Sequence, residues 1–545
     1  MPLKRANVDF CSIAPRALGF ADDQTVSRSV DIAMDDSLKF SLGDVGKLQL
    51  KRLTSIRESD ELEAIRLSVA AEILECLRPF RFLPLDLQNA TSTSEGTILM
   101  LFGWLDEELR KDPKTIIEKT GLPTYLAPEI AIHLLVDSAE DMNGRRPISL
   151  GERHQVIKRL TQLTVNYALI EQAQILSQAG AAKVDVEIRS GQRVALRLEN
   201  VETQFGVYDH FLFYKQLVQY PYDDDDIVSE FSNYLKTRQL PTRCSGVSNE
   251  MRDVFGYGLE ALLWLMTGPL HEIQTRPHNA VVLPMSELIN YSVFPEGVDA
   301  EQLARALDAH TLKPRKRDQA STRRSFTEAT GSETRLGLAP FFKINDDQIV
   351  TSPSLLNFAT LSIFRNIMHG RLPSGRPSRA KTPLQGALGA SRRVWTEDVF
   401  EESVRSEFRQ VGFRCVEIKK KDFARGQIDG VVADVKHSQL WVVSVKDIMA
   451  ALRPRQEMEQ IDRFYKEFIP QLQTQIDDVR AHLAQVRELL SAQPGIEHLA
   501  ADIGAWRVLG LFVTRELPPL AGMVTSNEEL PRIVLRRDIH RMALL

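Results

Sequence analysis

The chain has 545 residues, 43% of them apolar and 26% charged, with a formal net charge of −5. That composition is globular and leaves room for two to four domains of roughly 150 residues, so neither disulfides nor a structural metal is required for folding, and there is no global positive charge to draw in nucleic acid. Four cysteines (Cys11, Cys76, Cys244 and Cys415) without a CxxC pair argue against a zinc ribbon or a disulfide framework and fit a reducing cytoplasm.

MPLKRANVDFCSIAP lacks a continuous apolar run, so no secretory leader is expected, and residues 1 to about 50 read as strands and loops. Leu62, Ile65, Val69, Ile73 and Leu77 recur at three and four residues and predict a helix over 61–77. Further helices are expected over about 97–118, 126–138 and 151–179. The alternation in VDVEIRSGQRVALRLEN predicts a hairpin over 184–200. Helices follow at about 227–237, 249–267 and 299–308, then a hairpin over 341–353 with Asn345-Asp346-Asp347 in its turn, then a helix over 354–368. The apolar windows 97–105 and 254–270 are too short or too charged to span a bilayer and read as buried helices; no membrane association is expected. The N-terminal region is thus expected to be α+β, mostly helical with hairpins.

Residues 369–393 (HGRLPSGRPSRAKTPLQGALGASRR) are rich in Gly, Pro, Ser and basic residues and read as a linker between regions 1–368 and 394–545. Two basic clusters could meet phosphates: Lys313, Arg315, Lys316, Arg317, Arg323 and Arg324, and then Arg365, Arg371, Arg376, Arg379, Lys381, Arg392 and Arg393. A solvated basic linker is the competing interpretation.

Beyond the linker, Thr396 is placed as the N-cap of a helix to Gln410, followed by strands over 413–419, 428–435 and 440–446, a helical stretch over 454–490 interrupted at Pro470, and strands over 506–514 and 531–539. The order α-β-β-β-α-β is that of an α/β unit. Within it, GQIDGVVADVKHSQLWVVSVKD places Asp429 and Lys446 on neighbouring strands, with Ser444 and Lys446 two apart on one face. The preceding helix offers Glu401 and Glu402. Carboxylates beside a lysine suit phosphodiester hydrolysis: hard oxygen ligands hold Mg²⁺, and a cation steadies developing negative charge.

Phe400-Glu401-Glu402, Gly426-Gln427-Ile428-Asp429-Gly430 and Val442-Val443-Ser444-Val445-Lys446 together resemble the PD-(D/E)XK nuclease superfamily, over about 394–545. The resemblance implies a restriction-endonuclease-like fold, Asp429 as a metal ligand, Lys446 as the catalytic lysine, and Glu401 or Glu402 as the helix acid, with Mg²⁺ or Mn²⁺ as cofactor. Ser444 stands where the pattern has a second strand carboxylate. Three readings stay open: a helix acid supplies the charge beside Ser444; Asp447 turns in through a bulge; or the domain binds without cutting. The expected function is a metal-dependent endonuclease, on DNA rather than RNA, fused to a regulatory region that could bind a protein partner; by fold-level analogy it would suit prokaryotic defence. The alternative is a degenerate nuclease-like binding module. The helical stretch after Lys446 could also pair subunits as a homo-oligomer.

Elsewhere, Asp223 to Asp226 lacks calcium-loop spacing and reads as an acidic helix start. There is no GxxxxGK[ST] loop. His210, His271, His310 and His369 lack zinc-ligand spacing.

Overall fold

The computed structural model describes residues 38–542, without 55–60, 78–93, 112–115, 118–121, 138–147, 209–224, 313–335, 372–381, 449–453, 493–502, 525–530 and a few shorter loop stretches. The first basic cluster, Arg376, Arg379, Lys381, and His210 and His271 lie outside the described residues. The chain is a mixed α/β protein with helices and several separate sheets. Among the described residues no helix is long and apolar enough to cross a membrane.

The N-terminal part is built on β1 (Leu38–Ser41), α1 (Asp44–Thr54), α2 (Glu61–Leu77), α3 (Thr97–Arg110), α4 (Leu126–Asp137) and α5 (Leu150–Gln178). The expected spacing in α2 is realised: Leu62, Ile65, Val69, Ile73 and Leu77 are all buried. Helix α1 falls where strands and loops were expected. It is held from outside, since the Gly46 N–H donates to Glu72 Oε1 of α2 at 2.6 Å and Leu50 is buried. The predicted hairpin is β2 (Ala182–Arg189) and β3 (Arg193–Asn200), to which β1 adds antiparallel.

Then come α6 (Asp225–Thr237), α7 (Thr242–Phe255) and α8 (Leu259–Thr267). The single helix expected over 249–267 is two. Gly256 takes φ +76° and closes α7, its N–H donating to the Arg252 carbonyl at 2.9 Å. The buried Ser248 hydroxyl accepts the Leu259 N–H at 2.8 Å, giving α8 a remote cap. A second sheet has the order β4 (Val281–Pro284), β7 (Gln348–Thr351), β6 (Phe341–Lys343), β5 (Thr311–Leu312); β6 and β7 are the second predicted hairpin. Helix α9 (Ala300–Ala309) is capped by Asp299, and α10 (Pro353–Met368) by Ser352.

The segment read as a linker is, from Thr382, a helix: α11 (Thr382–Arg393). Leu384 and Leu388, four apart, are buried in the same core as Val247, Met251 and Phe364. The helix then continues through a π-helical stretch (Val394–Glu401) into α12 (Glu402–Gln410). Thr396 is therefore no N-cap; the chain is helical on both sides of it, and its hydroxyl donates to Asp447 Oδ2 at 3.1 Å.

A five-stranded sheet follows, in the order β8 (Arg414–Ile418), β9 (Ile428–Asp434), β10 (Gln439–Lys446), β11 (Arg507–Thr514), β12 (Arg532–Leu535). The first three strands are antiparallel, and β10, β11 and β12 run parallel. Phe400, Val404 and Phe408 cover one face, together with Trp441, Val443 and Val445. The other face, carrying Val431, Ala433, Leu440 and Val442, packs against Phe464, Phe468, Leu472 and Ile476. Those last residues belong to a helical stretch made of α13 (Pro454–Arg463), a π-helical turn (Phe464–Phe468) that carries the two phenylalanines, α14 (Ile469–Ala481) that carries Leu472 and Ile476, and, beyond a break at His482, α15 (Leu483–Ser491). Pro470 sits at the start of α14; its ring and missing N–H account for the widened turn just before it.

The two regions interlock. Met523–Val524 pairs with Gly206–Tyr208, Ile461 shares a small core with Leu176 and Ala182, and Arg365 of α10 is bound by Glu516. A protease site engineered into 372–381 should therefore give two fragments that still co-elute on gel filtration. Release of a free fragment beginning near residue 382 would contradict this packing.

Candidate active site

The β9–β10 hairpin is closed by a turn in which His437 Nδ1 bonds Asp434 Oδ2 at 2.7 Å and Ser438 takes φ +53°. Its register pairs Gly430 with Val443 and Val431 with Val442. Asp429 lies one residue beyond the last of these pairs. Its carboxylate accepts the Val445 N–H (Oδ2, 2.8 Å). Asp429 alternates with Val431 and Ala433, and Lys446 with Val442 and Leu440, so both lie on the face toward α14, on adjacent strands, as expected from the sequence.

Glu401 arrives from the opposite layer, as the last residue of the π-helical stretch. It is 7% exposed. Its carboxyl is pushed up to about 8, by burial first and then by the Asp429 carboxylate. Asp429 is also raised, by burial, despite Lys446, the Val445 N–H and Arg405. Lys446 is lowered, again by burial, although Asp429 and Glu401 both pull it upward. These three groups form one electrostatic unit.

Arg405 ties the helix to the strand. It donates to the Asp429 carbonyl at 3.1 Å and to Glu402 Oε2 at 2.9 Å, and lies 3.7 Å from Glu401 Oε2. Glu402 spends both oxygens on arginines, the second being Arg409 at 3.1 Å. Burial alone would raise Glu402, but Arg405 and Arg409 hold it below the usual range. Of the two helix acids, it is Glu401 that couples to Asp429.

Ser444 is fully buried opposite Phe512 of β11, and its Oγ has no hydrogen-bond partner among the described residues. Ser444→Ala should therefore raise stability by up to about 1 kcal/mol, because it removes an unsatisfied buried hydroxyl. Urea unfolding measures this; a loss above that size would mean Ser444 is bonded in solution. Asp447 points to the other layer, where Arg515 Nε donates to it at 2.9 Å and Thr396 at 3.1 Å. No bulge turns it toward Asp429.

Four residues here escaped the sequence reading. Arg405 is one. Glu417, at the bulge between Val416 and Ile418, lies close enough to raise both Glu401 and Asp429. Gln471 accepts from Lys446 Nζ at 3.3 Å, and Gln475 donates to the Gln427 carbonyl at 2.9 Å. Gln471 and Gln475 are four apart on α14; that spacing was the available signal. His310 is buried against Tyr257, and His369 beside Asp447, so neither is placed as a zinc ligand.

Among the described residues no three His, Cys, Asp or Glu side chains gather closely enough to hold a metal ion by themselves. Two carboxylates plus water suit Mg²⁺, which retains several waters and needs only one or two acids.

The buried acids carry a pH signature. Between the ordinary glutamate range and about pH 8 the unfolded chain releases the Glu401 proton while the native chain keeps it. The native state then binds more protons, so metal-free stability falls as pH rises through that window and levels off above it. Glu401→Gln should remove most of that fall: no gain at pH 4, the full gain above pH 8, read by urea unfolding in EDTA. An equal effect at both pH values would show that Glu401 titrates normally.

Comparison of the chain with protein-family models, with curated proteins and with solved structures returns no match.

Proposed function

We propose that Glu401, Asp429 and Lys446 form the active site of a metal-dependent phosphodiesterase, an endonuclease of PD-(D/E)XK type acting on nucleic acid, with DNA the first substrate to test. The observation that carries this reading is the convergence of a buried helix acid, a strand acid and a lysine at the open end of β9 and β10. Glu401 and Asp429 would hold one Mg²⁺ or Mn²⁺, which when bound supplies charge to polarise a phosphodiester. Glu401 offers the second charge that Ser444 withholds. Asp429 is pre-oriented by the Val445 N–H, and Arg405 fixes the helix against the strand. Lys446 lies over the Phe468 ring with Nζ 4.7 Å from its centroid, where it can stabilise negative charge on phosphate oxygens. The restriction-endonuclease-like fold, the cytoplasmic setting and a sensing role for residues 1–368, with a protein partner, belong to this proposal.

A second reading has its own support. The neutral Ser444 and the lack, among the described residues, of a three-acid group also suit a nuclease-like module that binds without cutting.

The test is cleavage of DNA and RNA by the full chain with Mg²⁺, Mn²⁺ or EDTA. Activity should be stronger with Mn²⁺, which tolerates imperfect geometry, and absent in EDTA. Wild type that binds nucleic acid but is inert with every metal would favour the second reading.

A further inference from the structure

We propose that Lys446, Arg463, Arg392 and Arg371 form a phosphate cradle, assembled from both regions of the chain, that grips the backbone of a nucleic-acid strand beside the two-carboxylate site. The inference rests on the nuclease-like reading and adds to it the residues that hold the substrate.

The cradle has two walls. On one, the Phe468 ring carries two cations, with Lys446 Nζ 4.7 Å and Arg463 Cζ 4.9 Å from its centroid. On the other, Arg392 of α11 runs against Gly370, where an added Cβ would stand 3.1 Å from Arg392 Cβ and 3.2 Å from its Cδ. Gly370 takes φ +67°, which turns the chain out of α10, and the next residue is Arg371. The Arg371 N–H donates to the Asn366 carbonyl at 2.7 Å, fixing where that side chain starts. The walls adjoin: His369, two residues before Arg371, stands 3.9 Å from Asp447, the residue after Lys446.

Four cations in one neighbourhood repel each other, so the arrangement calls for anions. The chain provides them only in part. Among the described residues Lys446, Arg371 and Arg392 have no carboxylate within ion-pair distance, and Arg463 is matched by Glu467 at 3.0 Å. Glu459 acts on Arg371, and Lys446 feels Asp429 and Glu401, the two acids assigned to the metal. Arg371, Arg392 and Arg463 are exposed and Lys446 half-buried, so a ligand can reach them. Guanidinium forks match phosphate oxygens in pairs. Cations contributed by the turn after α10, by α11, α13 and β10 suit successive phosphates of a strand better than a single phosphate ion. The fourth, Lys446, is shared with the carboxylate site, which puts one backbone phosphate next to Asp429.

The probe is a fluorescent 20-nucleotide DNA or RNA, titrated with full-length protein in EDTA so that binding is read without cleavage. Arg371→Ala, Arg392→Ala and Arg463→Ala should each weaken binding about 5- to 10-fold and lower the slope of log affinity against log salt by about 1. Arg392→Lys, which keeps the charge but loses the fork, should recover only part of the affinity while restoring the salt slope, and melting curves should match wild type. If wild type binds and the triple alanine variant binds equally well with the same salt slope, the cradle is wrong while the nuclease reading stands. If the losses appear equally against 10 mM inorganic phosphate and the oligonucleotide shows no advantage, the site takes free anions and the proposal falls. If wild type neither binds nor cuts any nucleic acid, both readings fall together.

Discussion

Glu516→Ala should destabilise the protein by about 3–5 kcal/mol, the largest stability effect expected of any single substitution here. Glu516 binds Arg365 through both carboxylate oxygens, and both side chains are buried. Removing the acid leaves a guanidinium in low dielectric, with Arg365 Nε already lacking a partner and Arg371 close by. Arg365 sits in the middle of α10 and Glu516 just past β11, so the damage falls on the contact between the two regions. Next to it, Asp447 gathers Arg515, Thr396 and His369, and burial holds His369 at about 4, uncharged at neutral pH. Urea unfolding followed by both far-UV CD and tryptophan fluorescence checks this, since a chain of this length need not unfold in one step. A change below about 1 kcal/mol would mean the pair is hydrated in solution. Arg365 was read from the sequence as part of a phosphate-binding stripe. Its burial against Glu516 withdraws it from that role, whereas Arg371 and Arg392 stay exposed.

Asp429→Asn should abolish cleavage, by at least about 10³-fold, while raising metal-free stability. The amide oxygen can still accept the Val445 N–H, so the strand ends stay in place. What disappears is the charge. Asp429 is held above the usual carboxylate range by burial, so its ionised form is a cost to the folded state at neutral pH, and the substitution removes that cost. The companion change in Glu401 is diagnostic, because its carboxyl is raised partly by Asp429 and should titrate lower in the variant. Residual cleavage with Mn²⁺ near wild-type rate would show that another acid, Glu417 being nearest to hand, carries the metal. Lost stability in place of gained stability would show that Asp429 is ionised and well paired.

Much of this was legible in the chain itself. Regular alternation placed the hairpins over 184–200 and 341–353, since a sheet with one strongly buried side imposes a period of two. Spacing of three and four placed α2, α4 and α5 to within a residue or two. It also put Asp429 and Lys446 on adjacent strands and one face, because hairpin register follows from the short polar turn at Lys436-His437-Ser438.

Other features needed the folded chain. Helix α11 hides in a Gly, Pro and Ser-rich stretch whose apolar signal is Leu384 and Leu388 alone; it is α7 and α10 that give those two leucines a core to enter. Local composition said linker, and tertiary burial overrode it. Helix α1 was missed for the same reason, its support being Glu72 in another helix. Which helix acid joins Asp429 also depended on tertiary structure: Glu401 and Glu402 are neighbours of equal charge, and only the π-helical turn and the arginines beside it send one inward and pair the other outside. The Gly-Gln-Ile-Asp and Val-Ser-Val-Lys strings determined which residues could do chemistry. The packing of α10, α11 and α13 around them decided which side chains are charged, buried and within reach, because those properties depend on neighbours far away in the chain.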